Sequence, residues 1–216
     1  MHDTTTRRRT LLGLAIVAPA AALPWRLACA QIAGAGDQAA PIRRLDDALL
    51  AAMKGGQATS FAQRFATLTP VIEQTFDLND VLALSVGLEW STLPDDQKPS
   101  LYAAFVRYTV ASYAANFNNY SGQTFQVSPT VRSLGNGDVI VRTTIVATDG
   151  STRKLDYRMR NGPAGWKAVD VLEDGSISRV AVQRSDFRDL LGSGGVPALM
   201  AALRQKVVTL SGGMLA

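Results

Sequence analysis

Apolar residues recur at helical spacing through the first half of the chain and at alternate positions in the second. Ile42, Leu45, Leu49 and Met53 form one face of a predicted helix, opened by Pro41 and stopped by Gly55-Gly56. Ser60 is placed to cap a second helix carrying Phe61, Phe65 and Leu68, with Pro70 restarting it before Val71, Ile72 and Phe76. Asp77 caps a third, with Leu78, Val81, Leu82 and Leu84, which Gly87 ends. Pro94, Asp95 and Asp96 then supply a proline and negative charge for the start of a long helix, and Leu101, Phe105, Tyr108, Ser112 and Phe117 mark one of its faces.

The period then changes. Val139, Val141, Thr143 and Ile145 alternate with Ile140, Arg142, Thr144 and Val146, which predicts a strand. Asp149-Gly150 is a hairpin turn signal, and Leu155 to Arg160 alternates apolar with charged residues beyond it. Tyr157 and Met159 therefore share a sheet face opposite Arg158 and Arg160. Phe125 to Leu134 and Trp166 to Leu172 complete four antiparallel strands. Helix returns from Gln183 to Leu191 and from Val196 to Val208, split by Gly192-Ser193-Gly194-Gly195. The expected fold class is α+β: a helical N-terminal half and C-terminal helices packed on one face of a twisted, four-stranded antiparallel sheet, with an apolar pocket between.

Residues 1–30 stand apart from this pattern. Arg7, Arg8 and Arg9 precede an apolar stretch from Leu11 to Leu23, and the segment closes on Ala28-Cys29-Ala30, as an export signal does. Arg8-Arg9-Thr10-Leu11-Leu12 approximates the twin-arginine pattern, with Leu11 in place of the usual phenylalanine, so the signal is Tat-like and the Sec route stays open. The stretch falls short of the roughly 20 apolar residues of a membrane span. A lipoprotein signal would need an apolar residue where Arg26 precedes Cys29. Residues 31–40 are small and polar and read as a flexible leader.

Removing that signal changes the chemistry available. The full chain carries 22 basic and 18 acidic residues; without Arg7, Arg8, Arg9, Arg26 and Asp3, 18 basic and 17 acidic remain. Such a balance gives no general field for phosphates and argues against nucleic acid as a partner. The single histidine, His2, and the single cysteine, Cys29, leave with the signal. Zinc sites and Ser/His or Cys/His catalysis are thereby excluded from the mature chain, and no cofactor is called for. Neither a Walker phosphate loop nor a dinucleotide glycine fingerprint is present. With no disulfide, stability must come from a hydrophobic core.

Several segments in order resemble one family. They are Thr75-Phe76-Asp77, Gly87-Leu88-Glu89-Trp90, the helix start from Leu93 to Gln97 with Phe105 beyond it, and Tyr113-Ala114 followed by Tyr120 to Phe125. In the sheet they are Leu155-Asp156-Tyr157-Arg158 and Trp166 to Gly175. Together, over Phe61 to Val207, they resemble the MlaC-type periplasmic phospholipid-binding proteins, also called the toluene-tolerance auxiliary family. The stretch from Ser176 to Phe187 resembles more narrowly the hopanoid-biosynthesis-associated branch, HpnM.

The resemblance implies a periplasmic, monomeric, non-enzymatic carrier. It would take a membrane lipid, a phospholipid or a hopanoid, between an inner-membrane transporter complex of the ABC type and an outer-membrane acceptor complex. The expected division is 1–30 signal, 31–40 leader, 41–210 a single lipid-binding domain and 211–216 tail. The residues expected to line the pocket are Leu82, Val86, Leu88, Trp90, Phe105 and Tyr108 from the helices and Val141, Ile145, Tyr157 and Met159 from the sheet, although each equally suits a closed core. Asp170, Glu173 and Asp174 read as structural carboxylates, Asp95 and Asp96 as helix-start residues, and Arg179, Arg184 and Arg188 as a solvated face or a headgroup contact. Two other readings stay open: a small cone-fold enzyme with a buried aspartate as proton-transfer base, and a cargo-free periplasmic adaptor.

Overall fold

The computed structural model describes residues 37–215; the predicted export signal and most of the leader lie outside the described residues. Helix α1 (Ala40–Gly55) carries Pro41 in its first turn, where the missing N–H costs nothing, and buries Ile42, Leu45, Leu49 and Met53. Helix α2 (Phe61–Thr75) opens on a complete capping box: the Ser60 hydroxyl accepts from the Gln63 amide and the Gln63 side chain accepts from the Ser60 amide. It runs unbroken through Pro70, where a restart was expected; Leu68 and Ile72, fully buried on either side, hold the two turns in one line. Helix α3 (Leu78–Val86) is capped by the Asp77 carboxylate and ended by Gly87 at φ 78°, a left-handed conformation suited to glycine.

A 3-10 turn over Gly87–Ser91 leads to helix α4 (Lys98–Asn116). The helix begins later than Pro94-Asp95-Asp96 suggested, because those residues form a turn closed by the Gln97 amide on the Pro94 carbonyl, and Pro99 occupies the first helical turn instead.

The sheet is an antiparallel meander in the order β1 (Thr124–Ser133), β2 (Val139–Val146), β3 (Thr152–Gly162), β4 (Gly165–Glu173), β5 (Ile177–Ser178). It has five strands, not the four expected. The fifth is two residues long, too short to show alternation, and pairs with the end of β4 across a turn in which Asp174 and Gly175 both have positive φ. Helix α5 (Arg179–Leu210) follows at once, with the Ser178 hydroxyl accepting from the Ala181 amide, so helix returns four residues before the expected Gln183. Its expected interruption is a kink confined to Gly194 and Gly195.

Val139, Val141, Thr143, Leu155, Tyr157 and Met159 are buried on the helix side of the sheet, beneath a core that draws on all five helices. On the other side Arg142 pairs with Asp156 at 3.1 Å, and Asp138 accepts from both Arg158 and Arg160. No helix among the described residues is long and apolar enough to cross a membrane.

Candidate functional site

Between the helices and the sheet lies a cavity of about 290 Å³. Its floor is Ile145, Leu155 and Val171 from β2, β3 and β4; α3 supplies Leu78 and Val81, and α5 supplies Val180. One long wall belongs to α4 and its C-cap: Phe105, Tyr108 and Ser112 of the helix and Phe117 just beyond it line the cavity. Those four belong to the five-residue stripe that the helical periodicity picked out; the fifth, Leu101, is fully buried in the core and does not line the cavity. The rings are braced by one another: Phe105 meets Phe187 of α5 edge-on at 6.3 Å, and Tyr113 stacks on Phe117 at 5.8 Å.

Of the ten residues expected at the pocket, Phe105, Tyr108 and Ile145 are brought together on its wall. Leu82, Val86, Val141, Tyr157 and Met159 lie in the packed core outside that wall. Leu88 is 97% exposed, because Gly87 turns the chain outward at the end of α3. Trp90 is partly buried beneath the Lys98 ammonium, 5.5 Å from its ring. Sequence reasoning passed over Tyr113, Thr109 and Asn116. Their signal was available, since Thr109, Tyr113 and Asn116 follow one another at one-turn spacings on α4.

Asn116, Arg153 and Arg179 are the exposed members of the lining and mark the mouth. Arg179 reaches Glu173 at 3.5 Å. Asp170 is engaged structurally, as the sequence suggested: its carboxylate accepts from the Ser178 hydroxyl at 2.6 Å and from the amides of Val180 and Val171, tying β4 to the start of α5. Arg184 donates to the Leu84 carbonyl and so links α5 to α3.

The most perturbed carboxyl in the vicinity is one the sequence did not single out. Asp46 on α1 is 4% exposed, and neither of its oxygens has a hydrogen-bond partner. Burial, with a smaller contribution from neighbouring Asp47, pushes its pKa up to about 7. The Tyr113 and Tyr157 hydroxyls are likewise pushed well up, first by burial and then by nearby charge that includes Asp46. Asp46 does not itself line the cavity. Among the described residues no three His, Cys, Asp or Glu side chains gather as metal ligands would.

Helices from both halves of the chain cover one face of an antiparallel meander and leave between them a cavity of mixed apolar and polar lining with a charged mouth, which defines a pocket-bearing α+β domain. The chain belongs to the MlaC protein family, whose model matches residues 43–205. It is also similar to a solved structure, the phospholipid-binding protein from Ralstonia solanacearum in complex with a phospholipid. The two are 25% identical with a TM-score of 0.70, over 82% of this chain and 99% of that one.

Proposed function

We propose that this chain is a periplasmic lipid carrier that takes the apolar part of a phospholipid, or of a hopanoid-type lipid, into the cavity between α4 and the sheet. The observation that carries this reading is a cavity with an apolar floor and a charged mouth in the same fold as a protein solved with a phospholipid. Each acyl CH₂ kept from water is worth about 0.8 kcal/mol, so a tail in solution needs a sheath, and both bilayer and cavity supply one. Exchange between them is like for like and needs no nucleotide hydrolysis by the carrier. Arg153 and Arg179 at the mouth suit a headgroup phosphate.

At about 290 Å³ the cavity is at the small end of ligand pockets, which run from about 300 to 1,000 Å³. A two-chain lipid therefore requires the helices to part, and the Gly194–Gly195 kink gives the end of α5 a place to bend. The monomeric carrier would exchange cargo with an inner-membrane transporter complex of the ABC type and an outer-membrane acceptor complex. The segment from Ser176 to Phe187 supports the HpnM branch, and residues 1–30 support delivery to the periplasm, by the twin-arginine route, as a cleaved signal.

The proton-transfer reading needs a free carboxylate facing the substrate. Asp46 has the raised pKa but its oxygens are sealed away from the cavity, and Asp170, on the wall, is occupied by three donors. The carrier reading is tested by mass spectrometry of organic extracts of the purified protein. It expects a copurified lipid at roughly one molecule per chain, whereas protein that is consistently empty would favour the adaptor.

A further inference from the structure

The charged part of the cavity lining carries both signs. Arg153 and Arg179 are balanced there by Asp170 and Glu173. Asp170 is taken up by its three donors at the start of α5. Glu173 is held less closely. Its contact is the Arg179 guanidinium at 3.5 Å, beyond the about 2.7–2.9 Å of a charge-assisted hydrogen bond, and the two side chains are 45% and 44% exposed. Arg153 is exposed and has no carboxylate partner among the described residues.

The strand register fixes how these groups stand. Arg153 of β3 lies opposite Ile145 of β2, and Leu155 of β3 lies opposite Glu173 of β4. The four therefore share the cavity-facing side of the sheet, with Arg153 and Glu173 as diagonal neighbours roughly 7–8 Å apart. Arg179 opens α5 and meets Glu173 from the helix side. The apolar floor of Ile145, Leu155 and Val171 begins beside this cluster, so a lipid whose tail lies on the floor brings its headgroup to these three side chains.

A carboxylate only accepts hydrogen bonds and an ammonium only donates them, while guanidinium groups match the oxygens of a phosphate. The mouth thus has a place for a negative group at Arg153 and Arg179 and a place for a positive one at Glu173. A phosphate diester alone adds one uncompensated negative charge to a balanced lining. A phosphate joined through two carbons to a primary ammonium keeps the balance and gives Glu173 a charged donor. A glycerol hydroxyl in the same position gives only a neutral donor, with a hydrogen bond roughly half as strong.

We propose that the mouth selects a phospholipid with a zwitterionic aminoalkyl headgroup over one with an anionic polyol headgroup, the phosphate seated at Arg153 and Arg179 and the ammonium at Glu173. The inference deepens the carrier reading above and rests on it.

The test is binding of three single-chain probes to the purified, delipidated protein at low ionic strength, where exposed charges are least screened. They are oleoyl lysophosphatidylethanolamine, oleoyl lysophosphatidylglycerol and the N-acetylated form of the first, which share chain and phosphate and differ in the terminal group. The free amine is expected to bind about threefold more tightly than either of the others, the scale of a half-exposed ion pair. Glu173→Gln, which conserves shape, should bring the ratio to about one by weakening the amine probe alone, whereas Arg153→Gln should weaken all three alike. The N-acetylated probe makes the same comparison without altering the protein, so a misfolded variant leaves the test decisive. Equal affinities in the parent protein, or an unchanged ratio in the Glu173→Gln variant, would overturn the selection while leaving the carrier reading intact. Displacement of the probes by free phosphoethanolamine would assign the mouth to a soluble amino phosphate and overturn both, as would binding of none of the three.

Discussion

Met159 and Ile145 both face the helices, yet the structure gives them different surroundings. Met159 is fully buried in the core beside the cavity, whereas Ile145 is partly exposed and forms part of the cavity wall. From alternation alone, Met159→Glu would cost cargo before it cost fold. With no exposure at all, the introduced carboxylate has neither solvent nor partner, and a penalty of several kcal/mol is comparable with a domain's total of about 5–15 kcal/mol. Met159→Glu is therefore expected to aggregate or lose its circular dichroism, and Ile145→Glu to stay folded with much less extractable lipid. The reverse pattern would move the pocket deeper into the sheet.

Asp46 makes a second prediction at this scale. Its carboxyl stays protonated in the folded chain up to about pH 7, while the unfolded carboxyl ionises near its ordinary 3.8. Between those values the unfolded chain binds fewer protons, so the contribution of Asp46 to stability is greatest below about pH 4, falls as pH rises through the window and levels off above about 7. Asp46→Asn removes that slope. Its stability relative to the parent should rise across the window by an amount on the order of 4 kcal/mol, read from melting curves at a series of pH values. A difference independent of pH would contradict the buried, unpaired state.

At the level of elements, what the sequence made legible follows physical locality. Caps at Ser60 and Asp77, the stop at Gly87 and the Asp149-Gly150 turn each depend on a few adjacent residues, and all occur where the pattern placed them. Ser60→Ala should cost about 1 kcal/mol by unmaking the capping box and lower the melting temperature by roughly 2–4 °C. A melting temperature unchanged within error would mean the cap adds nothing beyond packing. The less legible features depend on distant partners. Strand β5 exists because the end of β4 is there to pair with it, and Pro70 is carried inside α2 because the core buries Leu68 and Ile72 around it. The candidate site was legible on α4, where one helical face coincides with one wall. On the sheet it was not, since an apolar residue of β2 or β3 alternates in the same way whether it meets a cavity or a packed side chain. Asp46 gave no signal because a lone aspartate beside Asp47 looks like solvated surface until the helix facing it is known.

For the whole molecule, the helices and the sheet are separate bodies of hydrocarbon that meet completely around Met159 and incompletely around Ile145. This incomplete contact is the proposed seat of a lipid's apolar part. The most direct measurement is photo-crosslinking with a phospholipid bearing a diazirine at the end of one acyl chain, followed by peptide mapping of the adducts. Adducts are expected on the segment from Phe105 to Phe117 and on the Ile145–Leu155 hairpin. Adducts confined to the exposed Leu88 turn or to the Arg142–Asp156 face of the sheet, or no adducts at all, would contradict that placement.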